Sequence, residues 1–459
     1  MRFLAAIVAS NCLFPIGLLA ADLPRYSLPV GRQLTYTDRS DFKYQNGSFN
    51  SVTTLQLTVV SVSADGSARV IVRSAEMRVQ NRAGQAAVNP DSAAENVGYT
   101  QVDILPNGKV ISAAGSFAAD APGVLPPLPA DDGEMAGTWI RQPKIPGNDE
   151  IFRSSGPPQT GQWVFTSSED GLFKKIYGIT SQSTIHFDMS RGIVTAIQIA
   201  SRQDYGFHGS GTETIRLDSD QMLPAVAFTP LGKDVATLLA ARDHEGDQEE
   251  LIGTTNVAPD SVAAKIKSDL KAEEEEVSTP EIRQQLDQML ASVTQDVTYT
   301  LDDNRRIAGL KNTAAYDFTA TDLDGKPHKL SEYRGKVVVL DFWYRGCGWC
   351  IRAMPTMKQV ADDFRNKPVV IIGLNTDRNV ADAKFVDDAM GLNYPVWRID
   401  RTTVDRFHIR AFPSMLLIDG GGTIRDFDEG YSLTLRKDLS AKIQAVLDAE
   451  AGPPSAQAR

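Results

Sequence analysis

One stretch limits what this chain can fold into more than any other: "KVVVLDFWYRGCGWC", residues 336–350. Val337–Phe342 is apolar at almost every position and has no polar alternation. A strand written this way has both faces covered, as in the middle of a sheet flanked by helices. Cys347 and Cys350 follow with two residues between them, and a helical stretch comes next. This segment therefore demands a layered α/β unit with a pair of sulfurs between strand and helix.

The neighbouring residues extend that unit. "YDFTATDLDGKPHKLSEYRGK" reads as a hairpin turning at Asp324-Gly325. "KPVVIIGLNTD" is a second strand without alternation, and "RNVADAKFVDDAMG" is a helix ended by Gly391. "PSMLLIDGGGTIRDFDEG" reads as strand, turn and strand, and "LTLRKDLSAKIQAVLDAE" as a closing amphipathic helix. The unit is expected over 306–450, with 451–459 as a flexible tail.

At 459 residues the chain exceeds one ordinary core, so further domains are expected. Residues 22–228 carry a different grammar. "TTLQLTVVSVSADGSARVIVRS" alternates on both sides of Asp65-Gly66, which is strand, tight turn, strand. The pattern returns around Asn107-Gly108, Asp170-Gly171 and Arg191-Gly192. Repeated hairpins predict an N-terminal antiparallel β-rich domain, as a sheet, sandwich or open barrel, crossed by the proline-rich loop "APGVLPPLPADDG". Trp139, Trp163 and Tyr205 read as core, and Asn46–Ser48 fits a glycosylation sequon. Residues 229–305 read as a helical connector, with Thr279 as an N-cap, Pro280 at the first helical position and Glu273–Glu276 as a solvated helix end.

Charge and composition remove several functions. The net charge is −11 and no dense Lys/Arg cluster occurs, which excludes a nucleic-acid partner. Phosphate-loop and H-E-x-x-H patterns are missing, and the five histidines are scattered, so no metal or cofactor is expected. Residues 1–21, with Arg2, an apolar run and Ala20-Ala21, have the layout of a secretory signal peptide. Membrane association is expected only if that segment stays uncleaved. Cleavage removes Cys12 and leaves Cys347 and Cys350 alone in a compartment that permits disulfides.

The surviving pair has a defined chemistry. A zinc site needs two more ligands, and neither a second cysteine pair nor a nearby histidine pair exists. A static disulfide closing so short a loop would restrict the unfolded chain little. At a helix start, unpaired amides and the helix dipole favour a negative charge. Cys347 should therefore ionise below the free value of about 8.5. Its thiolate attacks a disulfide, and Cys350, one turn on, resolves the mixed disulfide.

Residues 306–450 resemble the thioredoxin superfamily, in its exported TlpA-like, redoxin-type branch. "DFWYRGCGWC" is similar to the thioredoxin signature, and "DFTATDLDGKPHKLSEYRGKVVVLDFW" resembles the entry hairpin of redoxin and TlpA-like proteins. "IRAFPSMLLID" resembles the segment that carries the family's cis-proline. The resemblance implies that Cys347 is the nucleophile, Cys350 the resolving thiol and the two together the redox-active disulfide. Asp341 stands where thioredoxins keep a buried carboxylate and would take the proton of Cys350. Pro413, its neighbour Phe412, and Trp349 would hold substrate. Pro355 matches a helix kink, and Arg345 reads as solvated. Gly348-Trp349 replaces the Gly-Pro of thioredoxin, which leaves the direction of electron flow open.

The expected function is an exported thiol–disulfide oxidoreductase of the periplasm or cell envelope. Its partners would be exported proteins with cysteines or disulfides, and an upstream membrane thiol reductant. Two alternatives stand beside it. One is an envelope binding protein whose β domain holds a ligand, with an ancillary redox domain. The other is a thiol peroxidase, although the Pro-x-x-x-Thr-x-x-Cys setting of peroxiredoxins is absent.

Overall fold

Alternating residues from Arg32 onward build one sheet in the computed structural model, which describes residues 23–451 apart from 46, 83–95, 116–122, 142–147, 207 and 255–257. The leader with Cys12, Asn46 of the sequon, and the tail beyond 451 lie outside the described residues. The strands are β1 (Arg32–Tyr44), β2 (Gly47–Val62), β3 (Ala68–Arg82), β4 (Asn96–Ile104) and β5 (Val110–Gly115). A short helix, α1 (Asp132–Ala136), precedes β6 (Thr138–Arg141), β7 (Asn148–Ser154) and β8 (Gln162–Gly171). Helix α2 (Leu172–Tyr177) leads to β9 (Thr180–Asp188), β10 (Ile193–Gln203) and β11 (Gly209–Met222).

These strands form a single antiparallel sheet in the order β5-β4-β3-β2-β1-β11-β10-β9-β8-β7-β6, with β5 and β6 at its edges. The fold is thus one curled sheet among the described residues, and not two packed sheets. Every second residue faces one core: Leu34, Tyr36, Leu57, Val59, Val70, Val72, Trp163, Phe165 and Ile185 are buried there. The proline-rich loop covers part of this face through Val124, Leu125 and Leu128. Gly108 in the β4–β5 turn has a φ of +80°, and a Cβ there would stand 2.6 Å from the carbonyl of Pro126. Only glycine lets turn and loop meet so closely.

One expected hairpin is corrected. After Asp170-Gly171 the chain does not turn directly into a strand; it forms α2 first, although β8 does pair with β9. Leu172, Phe173, Ile176 and Tyr177 fall on one helical face, which packs against another part of the protein.

Three helices follow: α3 (Ala225–Thr254), α4 (Pro259–Glu276) and α5 (Pro280–Leu310). The helical region overruns the expected 229–305 by a few residues at each end. The helices pack Val235, Leu238, Ile266, Leu270, Leu286 and Val293 together, and meet Ile71 and Tyr99 on the sheet's other face. Thr279 is the N-cap of α5 and Pro280 its first residue, but the Thr279 hydroxyl does not cap the helix. It donates to Asp234 at 2.7 Å, as does the Thr279 amide, while the Ser278 amide and hydroxyl donate at 3.0 and 2.8 Å. Asp234 is buried, so one carboxylate satisfies four donors at the α3–α5 junction. Asp234→Ala strands two amides and is expected to cost about 3 kcal/mol, read as a lower denaturation midpoint in urea.

The C-terminal unit contains β12 (Thr319–Asp322), β13 (Pro327–Lys329), β14 (Val337–Trp343), α6 (Gly348–Asp363), β15 (Val369–Asn375) and α7 (Val380–Met390). It continues with β16 (Val396–Arg398), α8 (Arg401–Arg406), β17 (Ser414–Ile418), β18 (Ile424–Glu429) and α9 (Leu435–Ala451). Its sheet runs β13-β12-β16-β15-β14-β17-β18. β14 lies parallel to β15 and antiparallel to β17, and all its residues are buried. Val338, Leu340 and Phe342 face one core with Phe407 and Trp397. Val337 and Val339 face another, closed by α6 and α9 through Met357, Val360, Leu439 and Ile443. This is the two-sided burial that the uninterrupted apolar run demands.

Candidate active site

The end of β14 delivers the chain into a tight turn in which the Cys347 amide donates to the Tyr344 carbonyl at 3.0 Å. Cys347 is the N-cap of α6, and its Sγ accepts the Cys350 amide at 3.1 Å. The two sulfurs form a disulfide, with Cα atoms 5.2 Å apart. The backbone thus aims an otherwise orphan helix-start donor at the sulfur that would carry negative charge on reduction. Pro355 lies within α6, one turn beyond the sulfurs.

The other expected site residues take distinct places. The Phe412–Pro413 peptide is cis, and Phe412 packs into the apolar cluster that holds both sulfurs. Its ring meets Tyr344 edge-on at 5.2 Å. Trp349 is 48 % exposed, stacks at 6.1 Å on Tyr431 and lies under the Arg352 guanidinium at 4.8 Å. Ser414 donates to the Ala411 carbonyl at 2.7 Å, which shapes the backbone before β17. Asp341 is buried on β14, on the same side as Val337 and Val339. Loss of hydration pushes its carboxyl up to about 7. The buried Tyr394 hydroxyl is raised by burial first and then by Asp341.

Arg345 corrects the expectation of a solvated side chain. Its Nη1 pairs with Asp382 at 2.9 Å, and its Nη2 donates to the Ile176 carbonyl at 2.8 Å. The guanidinium lies 3.8 Å from the ring centroid of Tyr205 and 4.1 Å from that of Phe385. Tyr205, read from sequence as core of the β domain, therefore belongs to this junction, whereas Trp139 and Trp163 are core as expected.

The residues that the sequence reading missed come from the β domain. Ile176 and Tyr177 of α2 are buried in one cluster with Trp343, Cys347, Cys350, Ile351 and Met354. Cys347 is only 6 % exposed and Cys350 1 %. Arg352 also lies 4.6 Å from the Phe173 ring centroid. The available signal was the apolar spacing 172, 173, 176 and 177, which is helical and not alternating.

A hollow lies within the β domain. A cavity of about 450 Å³ is lined by Leu55, Val72, Ile197, Ile199, Ile215 and the carboxylates of Asp38 and Glu213. Burial, then the charges of Glu213 and Glu76, pushes Asp38 up to about 7. Among the described residues no cluster of three or more His, Cys, Asp or Glu could hold a metal. No helix among them is long and apolar enough to cross a membrane.

A buried central strand that runs into a Cys-x-x-Cys helix start, with a cis-proline segment beside it, defines the thioredoxin-like class. Sequence comparison agrees: the AhpC/TSA family matches residues 312–427. The chain is 29% identical over 155 residues to the thiol–disulfide oxidoreductase ResA of Geobacillus kaustophilus, covering 33% of this chain and 87% of the relative. It is 30% identical over 141 residues to ResA of Halalkalibacterium halodurans, covering 30% of this chain and 80% of the relative. A crystal structure of a thiol:disulfide interchange protein DsbE from Chlorobium tepidum is 27% identical, spans 30% of this chain and 98% of its own, and has a TM-score of 0.29. Through its C-terminal unit the chain belongs to the family of ResA-type thiol–disulfide oxidoreductases, and it is an enzyme of that kind.

Proposed function

We propose that this protein is an exported thiol–disulfide oxidoreductase whose exchanging groups are Cys347 and Cys350, with residues 22–228 as an appended β domain, 229–305 as connector and 306–450 as the redox unit. The observation that carries the proposal is the position of Cys347 as the cap of α6, its sulfur accepting the Cys350 amide at 3.1 Å. That donor lowers the energy of a thiolate and leaves a thiol unaided.

The reaction balances as two exchanges. In the reducing direction, an upstream membrane dithiol gives two electrons to the Cys347–Cys350 disulfide and is itself oxidised. The Cys347 thiolate then attacks one sulfur of a substrate disulfide and expels the other as a thiolate. Cys350 loses its proton, which Asp341 accepts directly or through water, and attacks the Sγ of Cys347. The internal disulfide re-forms and the substrate leaves with both sulfurs reduced. Asp341, with its carboxyl near 7, is poised for that transfer at neutral pH. Pro413, Phe412 and Trp349 would hold the substrate backbone and side chains beside the sulfurs. The substrates would be cysteine-containing proteins of the envelope, to which a signal segment at residues 1–21 would direct the chain.

Trapping tests this reading. A Cys350→Ser variant should accumulate mixed disulfides through Cys347, and mass spectrometry of the captured chains should return exported proteins. Capture that persists in a Cys347→Ser, Cys350→Ser double variant would remove the assignment. Consumption of hydrogen peroxide at a useful single-turnover rate would favour a peroxidase. The cavity of about 450 Å³ in the β domain favours a second role in holding a ligand.

A further inference from the structure

We infer that Ile176 and Tyr177 of the β domain are specificity-determining residues for the exchange reaction: α2 covers the Cys347–Cys350 pair on one side, so that the site takes small or extended disulfides and turns away folded ones. The inference rests on the proposed role of the two cysteines.

Disulfide exchange requires an incoming sulfur to line up behind the S–S bond, so the attacking sulfur must be reachable. Cys347 is nevertheless 6 % exposed. The apolar cluster that holds it is in part foreign to the redox unit. Ile176, fully buried, and Tyr177 share one apolar cluster with both cysteines, Trp343, Ile351 and Met354. Lys174 and Lys175, on the opposite side of the same helix, are exposed. The helix therefore turns its apolar face to the redox unit, which has no purpose within its own sheet.

The cover is latched at its rim. Arg345, two residues before Cys347, donates to the Ile176 carbonyl at 2.8 Å and is sandwiched between Tyr205 and Phe385. Tyr205 is tied to α2 by its amide, which donates to the Tyr177 carbonyl at 3.0 Å. Gly178 ends α2 with a φ of +61°, and a Cβ there would stand 2.8 Å from Asp204.

Aromatic rings stand beside this cover. Trp349 and Tyr344 flank the cysteines in the chain and are exposed, and Phe412 packs into the cysteines' cluster. A site bounded by α2 and by these aromatic rings is a slot. A slot of this kind accepts a small disulfide or one strand of an unfolded polypeptide, laid along the cis-proline segment. A disulfide held inside a folded domain brings bulk that meets α2 first.

The test uses the full-length chain after reduction of its disulfide. The rate of Cys347 alkylation is measured with N-ethylmaleimide and with a long polyethylene-glycol maleimide, and turnover is measured with oxidised glutathione and with a folded disulfide protein. Ile176→Arg and Tyr205→Ala are each expected to raise the long-reagent rate roughly tenfold relative to the small one, and to shift turnover toward the folded substrate by a similar factor. Lys174→Ala, on the exposed side, should leave both ratios unchanged. Circular dichroism distinguishes an opened cover from an unfolded β domain, and Tyr205→Ala retains the test should Ile176→Arg not fold. Equal ratios in the parent and both opened variants would overturn the inference. Failure of the reduced parent to reduce glutathione disulfide would instead overturn the redox reading, while the alkylation ratio would still report on the cover.

Discussion

Cys347→Ser is expected to reduce turnover of a model disulfide to the uncatalysed background, a loss of roughly a thousandfold or more. The reason is chemical and local. A serine hydroxyl at the N-cap can still accept the amide at position 350, so the helix start survives. It cannot become the anionic sulfur that exchanges with a disulfide. Cys350→Ser should behave differently: it leaves the first attack intact and stops the release. A single-turnover burst followed by arrest is expected, read as released substrate thiol. If Cys347→Ser kept more than a few per cent of the parent rate, the assignment of the two roles would fail.

Asp341→Asn is expected to stabilise the protein at alkaline pH while slowing release of the reduced substrate. Asp341 is wholly buried and its carboxyl is raised from 3.8 to about 7 by loss of hydration. The folded state therefore holds this proton more tightly than the unfolded chain. Stability from this group is complete below pH 3.8, declines as the pH climbs and is lost above about 7. The difference corresponds to about 4 kcal/mol. An asparagine carries no such penalty, so the midpoint of urea denaturation at pH 8 should rise and its pH dependence between 4 and 7 should flatten. Removal of the proton acceptor should slow resolution of the mixed disulfide by roughly ten- to a hundredfold. A variant with unchanged resolution and a flattened stability profile would make Asp341 a structural carboxylate alone.

How much could be read from the residues differs between the two halves. The redox unit was legible because its strands are unbroken apolar runs and its turns carry Asp324-Gly325 and Gly391. β16 and α8 escaped notice, since three and six residues are too few for a period to emerge. In the β domain the Asp65-Gly66, Asn107-Gly108 and Arg191-Gly192 hairpins were visible, but the joining of the two halves of the sheet through β1 and β11 was not. Whether β1 pairs with β11 or lies in a second layer depends on contacts far apart in the chain, and no local pattern carries that choice. The same holds for α2 and Arg345. Asp-Gly followed by "LFKKIYG" looks like a strand entry when read for turns, because the partner that buries its apolar face lies well over a hundred residues away. Reading the side chain of Arg345 required knowing that Tyr205 and Asp382 would flank it.

α5 runs unbroken for 31 residues, which makes it a rod of about 46 Å. Near one end Glu281 is gripped by Arg73 and Tyr99 of the sheet; near the other Arg306 is held by Glu429 and the His408 carbonyl. A connector bolted at both ends is no leash. The dithiol cannot sweep the surroundings in search of partners, as a domain on a glycine-serine tether would. Encounter must come from the partner's side, and the orientation in which it arrives is dictated by a stiff frame.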